Sequence, residues 1–294
     1  MCHLWANIKI ILSKKNKIMK KLITLITALI LCTSLYSKEF EVHGPQGGLS
    51  MTITLPDHFN TQTDTCPMVI LMHGIFSSKN FTPMPAIARS LAKKGIASIR
   101  FNFGGHWSSE GKMQLMTIEN EIADAIAIWH YASSLPYVTR IGMLGHSQGG
   151  LVASMTAGRI ATMPTTTKPL YALVLIAPAT VLKNACQNGK LFDAHFDPVN
   201  PPEYVKCFGL MKLGREYLLT TQQLDIYGTA STYQGPVLIL HGENDRLVPL
   251  WCSQQYLTTY PNAPQLTIVK GENHRISRKT KKVATLVTQF FKQH

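Results

Sequence analysis

One pentapeptide sets the fold class of this chain: Gly145-His146-Ser147-Gln148-Gly149. The run just before it, residues 140–144, predicts a short buried strand, and the residues after it, 150–157, predict a helix. A serine at such a strand-to-helix corner adopts a strained backbone conformation that lifts its hydroxyl above the sheet, and the flanking glycines leave room for the turn. The new helix also directs backbone N–H groups towards an anion that forms beside the serine. The pattern therefore predicts that Ser147 is a nucleophile.

A serine nucleophile needs a base, and an acid that orients the base. The apolar strand predicted at 236–240 leads into a loop that contains Asp245, and the strand predicted at 266–270 is followed by His274. The chain order Ser, Asp, His, with the last two after successive strands, is the order of α/β-hydrolases. We therefore predict Asp245 as the acid and His274 as the base.

Other polar side chains near the strand ends can be explained by structural roles in loops and turns. His73, His146 and His241 each neighbour a strand end, where an imidazole ring can satisfy loop carbonyl groups. Glu243 and Asp225 remain alternative acids, although a loop carboxylate is more often a turn former or a helix cap. The group that His241 forms with nearby carboxylates lacks the H-E-x-x-H pairing of a metal site, and no further ligands stand at convincing spacing. We expect no metal and no cofactor.

The oxyanion of the reaction needs two hydrogen-bond donors. The strand predicted at 68–72 runs into His73-Gly74-Ile75-Phe76, and a loop at this place can present a backbone N–H to the site. We predict that the amide of Ile75 and the amide of Gln148, which directly follows the nucleophile, form the oxyanion hole.

Strands and helices alternate along most of the chain, which predicts a mostly parallel central sheet with helices on both faces. A hairpin at the sheet edge is expected first, over 40–42 and 49–55. The alternation stops over about residues 180–232, where prolines and aromatic residues replace the βα pattern. An insertion at this point would cover the strand ends where open α/β sheets bind ligands. We interpret it as a cap that shapes an acyl or aromatic pocket. The expected units are strands 67–73, 96–103, 139–144 and 170–176 and helices 84–94, 117–134 and 147–159.

Together these segments resemble the α/β-hydrolase superfamily across nearly all of the chain after residue 37, and more narrowly the bacterial cinnamoyl or feruloyl esterases. Two positions depart from the esterase pattern: Ile75 stands where an aromatic residue is common, and Trp107 stands where a small residue is common. The residues that carry the resemblance are His73-Gly74, Gly105-His106, Gly145 to Gly150, Phe196-Asp197-Pro198, Val237 to Gly242 with Asp245 and Val248-Pro249, and Gly271 with His274.

The resemblance implies a serine esterase that cleaves hydroxycinnamate (feruloyl-type) esters of a small alcohol or a polysaccharide. It implies Ser147 as nucleophile, Asp245 and His274 as its partners, and Ile75 and Gln148 as oxyanion donors. Rival functions on the same fold are a lipid or monoacylglycerol esterase and a serine aminopeptidase. A catalytically inactive binding protein is the rival from another class, and the retained triad argues against it.

The first 37 residues resemble a secretory signal peptide. Met19-Lys20-Lys21 precede an apolar run from Leu22 to Leu31, and the segment contains six lysines and no acidic residue. The apolar run is too short for an ordinary transmembrane helix. Met19 is an alternative start of translation, which would make residues 1–18 a mis-called extension. We expect an exported protein, periplasmic or secreted, with a hydrolase domain over 38–294; the alternative is a lipoprotein anchored through Cys32.

The net charge of +13 would fall to +7 without residues 1–37, because the six lysines there carry six charges. A surplus of that size more often marks a solvated face than a nucleic-acid site, and no aromatic-basic motif supports nucleic-acid binding. We expect an ester substrate as the partner, no nucleic acid and no stable membrane span. Export permits disulfides, and Cys186 with Cys207 is the first pair to test for one. The alternative is that Cys66, Cys186, Cys207 and Cys252 are four small buried side chains.

Overall fold

The computed structural model describes residues 37–164 and 168–294. The predicted signal peptide (apart from Ser37) and Cys32 lie outside these residues. The strands are β1 (Ser37–Gly44), β2 (Gly47–Thr54), β3 (Cys66–Met72), β4 (Ala97–Phe101), β5 (Val138–His146), β6 (Leu170–Ile176), β7 (Lys190–Leu191), β8 (Ala194–His195), β9 (Tyr204–Cys207), β10 (Met211–Gly214), β11 (Val237–Gly242) and β12 (Gln265–Val269). The helices are α1 (Met84–Ala92), α2 (Ile118–Ser134), α3 (Gln148–Thr162), α4 (Val181–Gln187), α5 (Arg215–Gln222), α6 (Ile226–Ser231), α7 (Trp251–Thr259) and α8 (Thr280–Gln293), with a short 3-10 helix at Met113–Leu115.

Eight strands form the central sheet, in the order β1-β2-β4-β3-β5-β6-β11-β12. β2 is antiparallel to β4, and every pairing from β4 through β3, β5, β6 and β11 to β12 is parallel. The predicted mostly parallel sheet is therefore confirmed. Because parallel neighbours run the same way, the loops after β3, β5, β11 and β12 all emerge at one edge of the sheet, where the predicted site residues lie.

The sheet is buried on both faces, as a parallel sheet flanked by helices requires. β3 shows this directly: Met68, Ile70 and Met72 pack into one apolar cluster, while Val69 and Leu71 pack into the cluster on the opposite face. Side chains of successive strand residues point to opposite faces, so a continuous apolar run is what two buried faces need.

Local signals in the sequence account for the helices. The hydroxyl of Thr117 accepts a hydrogen bond from the Asn120 amide at 3.1 Å and caps the beginning of α2. In α8 the buried residues Val283, Val287 and Phe290 recur at helical spacing, which covers one face of the sheet. Among the described residues, none of the helices combines the length and the hydropathy that a bilayer crossing needs.

The segment between β6 and β11, all of it described, contributes no strand to the central sheet. It holds α4, two small antiparallel hairpins (β7 with β8, and β9 with β10), then α5 and α6. The four cysteines are small buried side chains in this structure: the thiols of Cys186 and Cys207 are free and buried, as are those of Cys66 and Cys252. Burial raises the pKa of the Cys186 thiol to about 12, so it stays protonated and packs as a small apolar side chain.

Candidate active site

Ser147 lies at a sharp turn between the end of β5 and the first residue of α3. Its backbone has φ 58° and ψ −125°, a positive φ that non-glycine residues seldom adopt. Hydrogen bonds hold this conformation: the Ser147 amide donates to Ile176 O at 2.9 Å, and Ser147 O accepts from the Ala179 amide at 3.0 Å. A Cβ on Gly145 would lie 1.9 Å from Gly149 O, so the turn excludes a side chain there. The turn is therefore a strained elbow of the predicted kind.

The three predicted triad side chains meet in one hydrogen-bonded chain. Ser147 Oγ lies 2.9 Å from His274 Nε2, and His274 Nδ1 lies 2.7 Å from Asp245 Oδ2. The Asp245 side chain is 1% exposed and that of His274 is 12% exposed. A carboxylate that accepts from Nδ1 fixes the tautomer in which Nε2 is free to accept the serine proton. The arrangement can activate a serine for attack on a carbonyl group.

The carboxyl of Asp245 is kept ionised by its donors. Burial by itself would raise the pKa of Asp245, but hydrogen bonds from His274 and from two backbone amides outweigh it and bring the pKa below its usual value. Those amides belong to Leu247 and Val248, and each donates to Asp245 Oδ1 at 2.9 Å. One carboxyl oxygen therefore anchors the loop while the other orients the base.

The ring of His146 supports His274 through the main chain. His146 Nε2 lies 2.7 Å from His274 O, and the two ring centroids are 4.9 Å apart. Burial, together with the nearby imidazole of His274, lowers the pKa of His146 to about 3. His146 is therefore neutral, donates its Nε2–H to the carbonyl, and holds the His274 backbone in place.

The other candidate acids and histidines have structural partners. Glu243 accepts from the Gly271 amide at 2.8 Å, and Asp225 caps α6 by accepting from the Gly228 amide at 3.1 Å. His73 and His241 are buried and bond to loop carbonyl groups, at Gly74 and Val248 respectively. Within the described residues, no group of three or more His, Cys, Asp or Glu side chains is arranged to hold a metal ion.

The two predicted oxyanion donors are close to the nucleophile. A Cβ on Gly74 would lie 2.9 Å from the Ser147 Cβ, so the loop that carries Ile75 passes directly beside the serine. Gln148 begins α3. In the part of the chain that the structure describes, neither the Ile75 amide nor the Gln148 amide donates to a protein acceptor. Both N–H groups are therefore available to an oxyanion beside Ser147.

A cavity of about 750 Å³ opens at Ser147 and His274. Loops of the main sheet line it on one side and the segment between β6 and β11 lines it on the other. Of the described residues that line the cavity none is acidic, and Arg275 is the one Lys or Arg among them. The cavity thus favours a neutral or anionic ligand with a large apolar part.

Three phenylalanines form an aromatic wall of this cavity: Phe76, Phe192 and Phe208. Their ring centroids are 5.8 Å (Phe76 to Phe192), 6.2 Å (Phe76 to Phe208) and 5.2 Å (Phe192 to Phe208) apart. Each has a positive φ, between 51° and 56°. A positive φ costs an ordinary residue on the order of 1 kcal/mol, so a cluster of three at one cavity indicates that ring placement is constrained.

Trp107 neither lines the cavity nor packs beneath the cap. The indole is 64% exposed, and it contacts Phe81 edge to face at a centroid distance of 5.3 Å. Phe81 does line the cavity, so Trp107 extends the apolar surface outward from the mouth.

The side chain of Gln148 takes part in a buried network that the sequence did not reveal. Its Nε2 donates to Glu121 Oε2 at 2.8 Å, and its Oε1 accepts from Tyr217 Oη at 2.8 Å. Glu121 belongs to α2 and Tyr217 to α5. One feature of the sequence pointed to this network: Glu121 stands beside Ile118 and Ile122 on the apolar side of a predicted helix. A Glu is seldom buried at such a position without a partner.

Known proteins resemble this chain in sequence and in fold. Residues 63–202 match the family Hydrolase_4, described as "Serine aminopeptidase, S33". The human protein ABHD12B is 26% identical over 187 residues, which are 64% of this chain and 48% of that protein. The match thus spans about half the length of the human relative.

Solved structures match over nearly their whole length. Est1E from Butyrivibrio proteoclasticus, solved with bound ferulic acid, is 26% identical with a TM-score of 0.79, over 86% of this chain and 98% of that one. XC6422 from Xanthomonas campestris, an α/β serine hydrolase without a lid, is 18% identical with a TM-score of 0.59, over 88% and 95% of the two chains, and supports the fold alone. By its sheet order and by these likenesses, the chain has the α/β-hydrolase fold.

Proposed function

We propose that this protein is a serine esterase whose preferred substrates carry an aromatic, hydroxycinnamate-like acyl group. The observation that carries the proposal is the Ser147–His274–Asp245 hydrogen-bonded chain at the floor of a cavity with an aromatic wall. Hydrolase activity agrees with the α/β-hydrolase fold and with the partial family match, and the acyl preference agrees with the ferulic acid bound to Est1E.

The reaction would proceed through an acyl-enzyme. Ser147 Oγ attacks the ester carbonyl as His274 Nε2 accepts its proton, and the Ile75 and Gln148 amides stabilise the oxyanion. His274 then gives the proton to the leaving alkoxide as the C–O bond breaks. Water attacks the acyl-serine next, with His274 again accepting a proton and returning it to Ser147 Oγ. Asp245 stabilises the imidazolium that forms in each half-reaction.

The acyl preference rests on the shape and polarity of the cavity. Phe76, Phe192 and Phe208 present faces and edges against which a planar phenylpropenoyl group can stack. Burial of such a group contributes about 25 cal/mol per Å², so a substrate with a large aromatic acyl group gains a few kcal/mol over an acetyl ester.

An aminopeptidase function, which the family description names, is less well supported by the cavity. A substrate with a free α-ammonium group needs an acidic partner, and none of the described cavity residues is acidic. The adjacent Arg275 would repel the ammonium group. A monoacylglycerol esterase needs only an apolar cavity, so it remains the second candidate.

A substrate panel tests the proposal. Methyl ferulate, a nitrophenyl acetate, a monoacylglycerol and an aminoacyl anilide should rank with ferulate first in kcat/KM and the anilide last. Ser147→Ala should lower kcat by on the order of 10⁴-fold or more and abolish labelling by a fluorophosphonate. Persistent labelling at another serine, or a panel led by the anilide, would contradict the proposal.

We also propose that residues 1–37 direct export of the protein and are then removed. The basic and then apolar pattern of this segment supports export. N-terminal sequencing of protein recovered from the periplasm or medium should give a start near Lys38. A lipid-bearing start at Cys32 would favour the lipoprotein, and a start at Met1 or Met19 would contradict removal of the segment.

A further inference from the structure

The Gln148 side chain is the least expected polar group near the site. Gln148 and Tyr217 are fully buried and Glu121 is 1% exposed. The carboxamide is held at both ends, by Glu121 on Nε2 and by Tyr217 on Oε1, and Met116 Sδ lies 3.6 Å from the same nitrogen. An amide in such surroundings costs free energy unless each of its ends is hydrogen-bonded, so its position is closely specified.

The chemistry of the partners fixes the orientation of the amide. Burial raises the pKa of Tyr217 well above its usual value, so the phenol is neutral and donates. Burial likewise raises the pKa of Glu121 well above its usual value, and the hydrogen bond from Gln148 only partly offsets that effect. With Tyr217 donating to Oε1, Nε2 must face Glu121, and the amide has one orientation.

Position along the chain connects this network to the reaction. Gln148 directly follows the strained Ser147, so the peptide plane between them carries one of the two proposed oxyanion donors. A side chain held at both ends restrains the Cα of its residue and therefore the direction of that N–H. Glu121 anchors it from α2 of the main fold, whereas Tyr217 anchors it from α5 between β6 and β11.

We propose that Tyr217 and Glu121 are positioning residues that aim the Gln148 amide at the oxyanion, so that the cap is part of the machinery that stabilises the transition state. The proposal rests on the esterase function proposed above. It also differs from the interpretation of segment 180–232 as a wall that only selects substrates.

The test compares Tyr217→Phe with a matched control. The control is Tyr256→Phe, because Tyr256 is also fully buried and also bonds to a residue of α3, Ser154 Oγ, at 2.7 Å. Ser154 keeps a second partner at Leu151 O, so little else changes. Removal of a whole oxyanion donor costs 10²–10³-fold in kcat, and a misaimed donor should cost about tenfold. Tyr217→Phe should lower kcat about tenfold on acetyl and feruloyl esters alike, with KM changed less than twofold, and Tyr256→Phe should leave both constants unchanged.

Two further readouts separate positioning from a loss of stability. The second-order rate of fluorophosphonate labelling of Ser147 should fall about tenfold in Tyr217→Phe, and it can be measured even if no ester in the panel is a substrate. Glu121→Gln retains a neutral acceptor and should keep nearly wild-type kcat, whereas Glu121→Leu should lose about as much as Tyr217→Phe. The double variant should lose little more than either single one, because both act through Gln148.

The outcomes are distinct. A folded Tyr217→Phe with unchanged kcat and labelling rate overturns the inference, as does an equal loss in Tyr256→Phe or a loss confined to feruloyl esters. If Tyr217→Phe does not fold, Glu121→Leu decides by the same measurements. A wild-type protein that cleaves no ester refutes the proposed function, and the labelling rates then still test the positioning.

Discussion

Two residues of the proposed triad, Asp245 and His274, are each restrained by neighbours that take no part in proton transfer. Asp245 is anchored by the amides of Leu247 and Val248, and the backbone of His274 is anchored by His146. The orientation of His274 is therefore determined by groups that hold a geometry before substrate arrives, which is how serine hydrolases avoid reorganising during the reaction.

Replacing the acid tests this arrangement at the scale of one residue. Asp245→Asn keeps an oxygen for the two loop amides, but its NH₂ group cannot accept from His274 Nδ1. The imidazole then favours the wrong tautomer, and kcat should fall by on the order of 10³–10⁴-fold. Steady-state kinetics at neutral pH measure the loss. The matched control is Glu243→Gln in the same loop, because the Glu243 side chain accepts from the Gly271 amide and does not contact His274. A loss of similar size there would make Glu243 the acid instead.

Three turns in the fold carry the phenylalanines that form the aromatic wall of the cavity. Phe76 follows β3, Phe192 lies in the turn between β7 and β8, and Phe208 lies in the turn between β9 and β10. Tight turns impose positive φ, and the three rings pack on one another there. Each of the two small hairpins therefore places one ring at the cavity, and the loop after β3 places the third.

Shortening one ring should change substrate preference and leave the chemistry intact. Phe192→Ala removes part of the wall without touching the triad, so the feruloyl-to-acetyl ratio of kcat/KM should fall about tenfold. Phe59→Ala is the control, since Phe59 packs on Tyr137 and does not line the cavity. An unchanged ratio in Phe192→Ala would mean that the acyl group lies elsewhere in the cavity.

The sequence predicts elements well where the signal is local. The elbow at Ser147 and the strands that deliver Asp245 and His274 follow from apolar periodicity and chain order, and the structure brings these three residues together. Contacts between distant segments left no such signal. Gln148 meets Glu121 and Tyr217 across 27 and 69 residues, and no spacing rule connects them. The sequence could not decide whether Cys186 and Cys207 are bonded for the same reason, because proximity in the chain does not fix the geometry of two thiols, and both are free here.

The molecule contains buried histidines, whose pKa is lowered, and buried carboxyl groups, whose pKa is raised. Burial lowers the pKa of His73 and His146 to about 3 and that of His106 to about 4. In the unfolded chain these groups titrate near pH 6.5, so they contribute stability above that pH and lose it as the pH falls. Burial raises the pKa of Asp124 to about 6 and that of Glu121 well above its usual value, and these carboxyls act in the opposite sense.

The sum of these effects predicts the pH dependence of stability. Between pH 4 and 6 the contribution of the three histidines to the free energy of unfolding increases with pH, while that of the two carboxyls decreases. Because the histidines outnumber the carboxyls, the free energy of unfolding should rise with pH. Above about pH 6.5 the histidine contribution is complete and Glu121 alone continues to cost stability. The midpoint of thermal unfolding should therefore be highest near pH 6–7, and calorimetry across pH 4–9 measures it. A midpoint that climbs steadily to pH 9 would show that Glu121 is not buried as a neutral acid.

One substitution isolates a single carboxyl within that profile. Asp124 is 1% exposed, and its Oδ2 accepts from the Gly104 amide at 2.7 Å, a bond that the oxygen of Asn can keep. The wild-type protein keeps its full stability from the protonated Asp124 carboxyl below the unfolded-state pKa near 3.8. It loses that stability as the pH rises through the folded-state pKa of about 6. Two pKa units correspond to about 3 kcal/mol, so Asp124→Asn should gain up to about that much relative to wild type between pH 4 and pH 8. Denaturant unfolding at both pH values measures the change, with the exposed Asp57→Asn as a control whose difference from wild type should stay constant. An Asp124→Asn difference that is equal at the two pH values would show that Asp124 ionises freely in the folded protein.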